Sequence, residues 1–218
     1  MKKVFLVNEF QTSWKYEVYN KLCAMVMDEN VFKNKEVLML GNYKVGRYDF
    51  DAIIVVNREI FVVEFKKDSV KTINVKGAME PWTSETGEQL WAGKFQVSPY
   101  KQSLTKRNIL HRALKQQLEL KPEQNLFVKS IVLYPQDVTV VCCEDFDVHT
   151  HRWFFVKSLN SIIPLIEERT SLYSFTNIWV SFQTKLRSIQ QVSKRGLNLR
   201  IGNFFETCLS RVSSWLFF

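Results

Sequence analysis

Apolar positions set out the elements before any chemistry is considered. Trp14, Val18, Leu22 and Met25 recur at helical spacing, so residues 12–27 are predicted as a first helix, with Thr12 or Ser13 as its cap. The pattern then changes. Residues 36–40 form a short apolar run, and Gly41-Asn42-Tyr43-Lys44-Val45-Gly46 is turn-rich. Residues 48–56 and 60–66 are rich in β-branched and aromatic side chains and predict two strands, joined as a hairpin by Asn57-Arg58-Glu59. A second hairpin is expected over residues 76–93. Its turn is Ser84-Glu85-Thr86-Gly87-Glu88, between Trp82 and Trp91. Ser98-Pro99 opens a long helix to about residue 120, because Ser is a favoured N-cap and Pro a favoured first helical residue. Pro122 marks its end. Residues 126–134, 138–142 and 153–156 read as further strands, and 161–169 and 177–191 as helices. No internal repeat or low-complexity segment interrupts the series.

This order predicts an α/β protein with a central mixed sheet flanked by helices. The length of 218 residues suits one domain with a helical extension. We place the domain at 1–160 and assign 161–218 to C-terminal helices and a tail packing on it. Gly and Pro number only 7 and 5, which argues against long linkers, and the 46% hydrophobic content argues against disorder. The four cysteines show no CxxC spacing, so they suggest free thiols rather than a zinc site or a disulfide framework. The apolar run after Lys2-Lys3 is too short for a signal peptide, and no segment approaches transmembrane length. A cytoplasmic protein with no integral membrane span is expected.

The formal net charge of +8 favours a polyanionic partner, either nucleic acid or an acidic membrane surface. Lys101, Lys106, Arg107, Arg112 and Lys115 make the long helix basic, and Lys101, Lys106 and Arg107 are its candidate phosphate contacts. The tail differs again. Between Lys185 and Arg211 six residues are Lys or Arg and only Glu206 is acidic, and the chain closes on Trp215-Leu216-Phe217-Phe218. An amphipathic helix fits residues 201–216. It could dock on the core, on a protein partner or on a membrane surface.

The stretch that carries chemistry runs from Asp49 to Lys66. Side chains alternate along a strand, so Asp49 shares a face with Asp51, and Glu64 with Lys66. Folding the hairpin about Asn57-Arg58 pairs residues whose numbers sum to 115. Asp51 then opposes Glu64, and Asp49 opposes Lys66. Two carboxylates that close repel unless a cation lies between them, and Mg²⁺ or Mn²⁺ prefers such hard oxygen ligands. The backbone carbonyl of Phe65 offers a third ligand. Lys66 points to the same place, where it would orient a water or offset charge on a phosphate.

These residues resemble the nuclease-related domain (NERD) family of the PD-(D/E)xK nuclease superfamily. The matching elements are Asp51, the apolar run that follows it, a short turn and Val62-Val63-Glu64-Phe65-Lys66. Trp91 and Ser98-Pro99-Tyr100-Lys101-Gln102 resemble that family's downstream tryptophan and its Asn-Pro-x-x-Gln motif, with Ser98 standing where the family has Asn. Glu17 is similar in placement to the family's N-terminal helical glutamate, without the glycine-rich start and paired glutamates. The resemblance covers residues 13–120. It implies a restriction-endonuclease-like core and Mg²⁺-dependent hydrolysis of nucleic acid, DNA before RNA. Asp51 and Glu64 would hold the metal, Lys66 would assist the water, Gln102 would lie near the scissile phosphate, and Glu17 would be a further carboxylate of the site.

His149 and His151 flank Thr150, but no third residue at metal-binding spacing accompanies them, and a strand end with exposed histidines is expected. No GxxxxGK[ST], GxSxG or HExxH motif occurs. Two other functions use the same residues differently. One is a nucleic-acid-binding module that keeps the fold without cutting. The other is an assembly subunit that uses the C-terminal segment as its contact.

Overall fold

The structure is a computed structural model that describes residues 1–57, 59–67, 69–75, 77, 79–93, 96–117, 127–142 and 149–170. The expected helix over 177–191 and the basic, apolar tail lie outside the described residues.

The chain begins with strand β1 (Lys2–Leu6), a segment whose alternation was too short to stand out in the sequence. Helix α1 (Ser13–Met27) follows, close to its predicted span. Strand β2 (Val37–Val45) is longer than expected. It runs through the stretch that looked turn-rich, and the turn contracts to Gly46 and Arg47 before β3 (Tyr48–Val56). Gly46 has φ +58°, the left-handed conformation that a side chain would disfavour, so this one glycine lets the strand turn back. Strand β4 (Glu59–Phe65) completes the meander. Its pairs run from Ala52↔Val63 to Val56↔Glu59, all summing to 115 as the hairpin geometry predicts.

The chain then leaves for a second small sheet. Strand β5 (Thr72–Val75) is followed by a hairpin of β6 (Trp82–Ser84) and β7 (Gln89–Leu90). Its turn is the expected one: the Gly87 amide donates to the Ser84 carbonyl at 3.0 Å, and Ser84 donates to the Glu88 carbonyl at 2.8 Å. Helix α2 (Pro99–Gln117), strand β8 (Val128–Tyr134), strand β9 (Thr139–Cys142), a 3₁₀ turn at Thr150–Arg152, strand β10 (Phe154–Ser158) and helix α3 (Leu159–Arg169) follow.

Six strands form the main sheet in the order β1-β2-β3-β4-β8-β10, and four form the second in the order β7-β6-β5-β9. The main sheet is mixed. β2, β3 and β4 are antiparallel, while β1 on β2, β8 on β4 and β10 on β8 are parallel. Both faces of β3 and β4 are apolar because helices cover both. Ala52, Ile54, Val56, Phe61 and Val63 pack with Leu22 and Val26 of α1 and with Ile162 and Ile166 of α3. Ile53, Val55, Ile60 and Val62 pack with Leu110 and Leu114 of α2 on the other face. The nearly continuous apolar runs of the two strands record that double burial, which adds of order 2 kcal/mol per large side chain. A third cluster joins the sheets. Trp82 and Tyr100 meet Phe154 edge-on, with ring centroids 6.0 and 5.0 Å away.

β4 and β8 run parallel in the main sheet, and their continuations β5 and β9 run parallel in the second. The carboxyl end of β4 is therefore where one sheet hands over to the other, and the β7 hairpin returns the chain to the start of α2. Among the described residues, no helix is long and apolar enough to cross a membrane.

Candidate active site

Asp51 lies where the sheet loses its regularity. Its neighbours pair normally: Gly41↔Ala52 and Tyr43↔Phe50 on the β2 side, and Ala52↔Val63 on the β4 side. Asn42, which falls opposite Asp51, has φ +43° and bonds away from the sheet, its Nδ2 donating to the Glu9 carbonyl at 2.5 Å. On the β4 side the ladder stops at Val63. The Phe65 amide donates instead to Asp51 Oδ2 at 2.9 Å. The carboxylate thus replaces a ladder carbonyl, which fixes its orientation. A strand residue sends its N–H and C=O to the same edge. The Phe65 carbonyl therefore faces the Asp51 side too, while Lys66 donates its amide to Leu133 on the β8 side at 2.9 Å.

Glu64 and Lys66 project to the α2 face, and α2 supplies what meets them. Gln102, Lys106, Leu110 and Leu114 lie four residues apart and form one row along the helix. Leu110 and Leu114 are fully buried against the sheet, so the packing of the second half delivers the polar first half to the end of β4. Lys66 Nζ donates to Gln102 Oε1 at 3.1 Å. Lys106 Nζ lies 2.6 Å from both carboxylate oxygens of Glu64. The start of α2 is held by Ser98, whose Oγ accepts from the Lys101 amide at 3.1 Å, the predicted cap. Gly93 crosses close over Gln102. A Cβ on it would come within 3.2 Å of Gln102 Nε2, and its φ is +67°.

α1 contributes Lys15, whose Nζ lies 2.5 Å from Asp51 Oδ1. The helix reaches this depth because Tyr19, one turn further on, sits directly over Gly41. A Cβ there would be 2.3 Å from the ring. Lys15 matches no site motif in the sequence. The available signal was its place one turn before Val18 and Tyr19, at the head of the buried row.

The site is deeply set. The side chains of Asp51 and Glu64 are 6% and 4% exposed. Burial pushes the Glu64 carboxyl above the ordinary carboxylate range. Lys106 pulls it back, and the neighbouring Asp51 charge pushes it further up. Removing either lysine from its carboxylate would leave a buried charge without compensation.

The other candidates fall elsewhere. Glu17 is exposed on α1, about 200° round the helix from Lys15 at its spacing of two residues. Asp49 does not meet Lys66; it pairs across the meander with Lys44 at 3.0 Å, as an exposed surface acid. Arg107 donates to the Val128 carbonyl at 2.7 Å and lies 4.6 Å from the centre of the Trp153 ring, so it ties α2 to β8 and to the residue before β10. Lys101 is exposed near the start of α2. His149 and His151 are exposed at the 3₁₀ turn.

The Asp51 and Glu64 carboxylates and the Phe65 carbonyl at the end of β4 are hard oxygen donors. Among the described residues no group of three or more His, Cys, Asp or Glu side chains gathers to hold a metal. Hard oxygen donors of this kind are the chemistry that Mg²⁺ or Mn²⁺ takes, with one or two carboxylates and a shell completed by water or phosphate oxygens.

Comparison with protein-family models matches the nuclease-related domain over residues 17–135. That span holds Asp51, Glu64, Lys66, Gln102 and Lys106. No curated protein and no solved structure matches the chain.

Proposed function

From the premise that the chain belongs to the nuclease-related domain family, we propose that it is a metal-dependent nuclease that hydrolyses phosphodiester bonds of nucleic acid, DNA in the first instance. The observation that carries this reading is the convergence of Asp51, Glu64, Lys66, Gln102 and Lys106 at the end of β4.

Asp51, Glu64 and the Phe65 carbonyl would hold Mg²⁺ or Mn²⁺. A divalent cation there supplies Lewis acidity towards a phosphate oxygen. The protein's own groups do the rest. Gln102 Oε1 holds the Lys66 ammonium on the α2 side of β4, where it offsets charge that develops on the phosphate and orients the water that attacks phosphorus. A new P–O bond forms to the water oxygen, which gives up a proton to solvent, while the P–O ester bond breaks and the leaving oxygen takes a proton from solvent. Lys101, exposed near the start of α2, supports contact with the flanking backbone.

The test is a cleavage panel of single- and double-stranded DNA and RNA with Mg²⁺ or Mn²⁺, run on the wild type and on Asp51→Ala and Lys66→Ala. Cleavage by the wild type is expected, with a loss of about 100-fold or more in each variant. Intact substrates throughout would refute the reading, and activity undiminished by either substitution would refute the site.

A second reading has one observation in its favour. Lysines already neutralise both carboxylates, as a binding module that keeps the fold without cutting would require. It predicts salt-dependent nucleic-acid binding with neither cleavage nor cation binding.

A further inference from the structure

Lys106 is placed as no simple phosphate contact would be. Its ammonium lies 2.6 Å from both oxygens of Glu64, with Lys106 and Glu64 side chains 13% and 4% exposed. A divalent cation bound through Glu64 needs the same lone pairs at about 2.0–2.2 Å. With Lys106 spread over both oxygens, the two cations repel at the carboxylate and compete for it. The other lysines are held differently. Lys66 bonds the neutral amide of Gln102, and Lys15, 32% exposed, meets only one oxygen of Asp51.

We infer that Lys106 is an exchangeable counter-ion of the site: a divalent cation displaces it from Glu64, and the released ammonium, one helical turn beyond Gln102, takes a phosphate of the nucleic acid. The inference rests on the nuclease reading above and deepens it.

Charge balance supports the exchange. Asp51 and Glu64 bring two negative charges, and Lys15, Lys66 and Lys106 bring three positive ones. A divalent cation raises the excess to three, and an anion that arrives with it relieves that excess. Cation and nucleic acid therefore bind with positive coupling, each tightening the other by the same factor. The unbranched four-carbon stem of lysine allows the swing, and the α2 row carries the released group towards the Gln102 end of the site.

The experiment is calorimetric titration of the full chain with Mn²⁺, without nucleic acid, comparing wild type, Lys106→Met and Lys106→Gln. Removing a charge-assisted competitor should tighten Mn²⁺ in both variants by about tenfold. The glutamine variant keeps a hydrogen-bond donor beside Glu64 should the methionine variant fold poorly. Binding of a labelled DNA duplex is measured in parallel on a Lys66→Ala background. Loss of Lys106 should lower the salt slope by about one, with Mn²⁺ present and not without it. Mn²⁺ binding of unchanged or weaker affinity in the variants overturns the exchange and leaves the metal site standing. Failure of the wild type itself to bind Mn²⁺ overturns both the exchange and the nuclease reading.

Discussion

Glu64 shows how much of the site's behaviour a single residue holds. Its carboxyl is raised by burial and by Asp51, and held down by Lys106. A carboxyl whose folded pKa lies above its unfolded value, about 4.3, binds its proton more tightly in the native state. Stability from that group is present below the unfolded pKa and is lost as pH rises towards the folded one. Without Lys106 the folded value rises further. We therefore expect Lys106→Met to be destabilised by about 3 kcal/mol at pH 8 and by much less at pH 4, with urea unfolding across that range as the measure. Equal destabilisation at both ends would mean that Lys106 acts through packing alone. Lys66 predicts a different signature. Lys66 hydrogen-bonds the Gln102 amide, and its role in offsetting phosphate charge means that Lys66→Ala should lower cleavage by about 100-fold or more while Mn²⁺ affinity stays close to wild type. Loss of Mn²⁺ binding in that variant would make Lys66 a positioning group for the carboxylates instead.

At the scale of elements, the site depends on two helices held at fixed depth. α1 brings Lys15 to Asp51 because Gly41 leaves room for the Tyr19 ring. Gly41→Ala should force the helix outward and cost about 1–3 kcal/mol. In a thermal-denaturation series its Tm should fall well below that of an exposed Gly87→Ala control, where nothing lies within 4 Å of the new carbon and the cost is backbone strain at φ +82°. α2 depends on its cap. Ser98→Ala removes the Ser98 Oγ contact to Lys101 and should cost about 1 kcal/mol. Because the capped turn carries Gln102, cleavage should fall along with Tm. Full activity at normal substrate concentration would show that the row from Gln102 to Leu114 holds its place without the cap. The sequence announced these elements unevenly. Ser98-Pro99 and the apolar strands carried strong local signals. β1 and β5 did not, because each is held by pairing with a strand distant in the chain, Lys2 with Val37 and Thr72 with Thr139. The extension of β2 was hidden by the turn-forming residues Gly41, Asn42 and Gly46, although it pairs locally, Val45 with Tyr48, across a glycine turn.

The whole molecule places the site where two sheets meet, and that placement couples cation binding to folding. The donors come from β3 and β4, and they converge only when the meander, α1 and α2 are assembled. An unfolded chain offers no such site, so a bound cation should stabilise the native state by mass action, about 2.7 kcal/mol at one hundred times Kd. Scanning calorimetry with increasing Mn²⁺ should show a rising Tm in the wild type and a flat one in Asp51→Asn. A rise in both would place the cation elsewhere on the protein. The sequence by itself determined the α/β class, the β3–β4 register and the candidate pair Asp51 and Glu64, because strand alternation and hairpin geometry are local rules that act over a few residues. Only the tertiary structure decided the company they keep. It put Lys15 on Asp51 and Lys106 on Glu64, turned Glu17 to solvent and Arg107 to a structural tie, and joined Gln102 to Lys66. Those contacts join residues up to 42 positions apart, and helix packing on both faces of the sheet sets their distances, which no local period encodes.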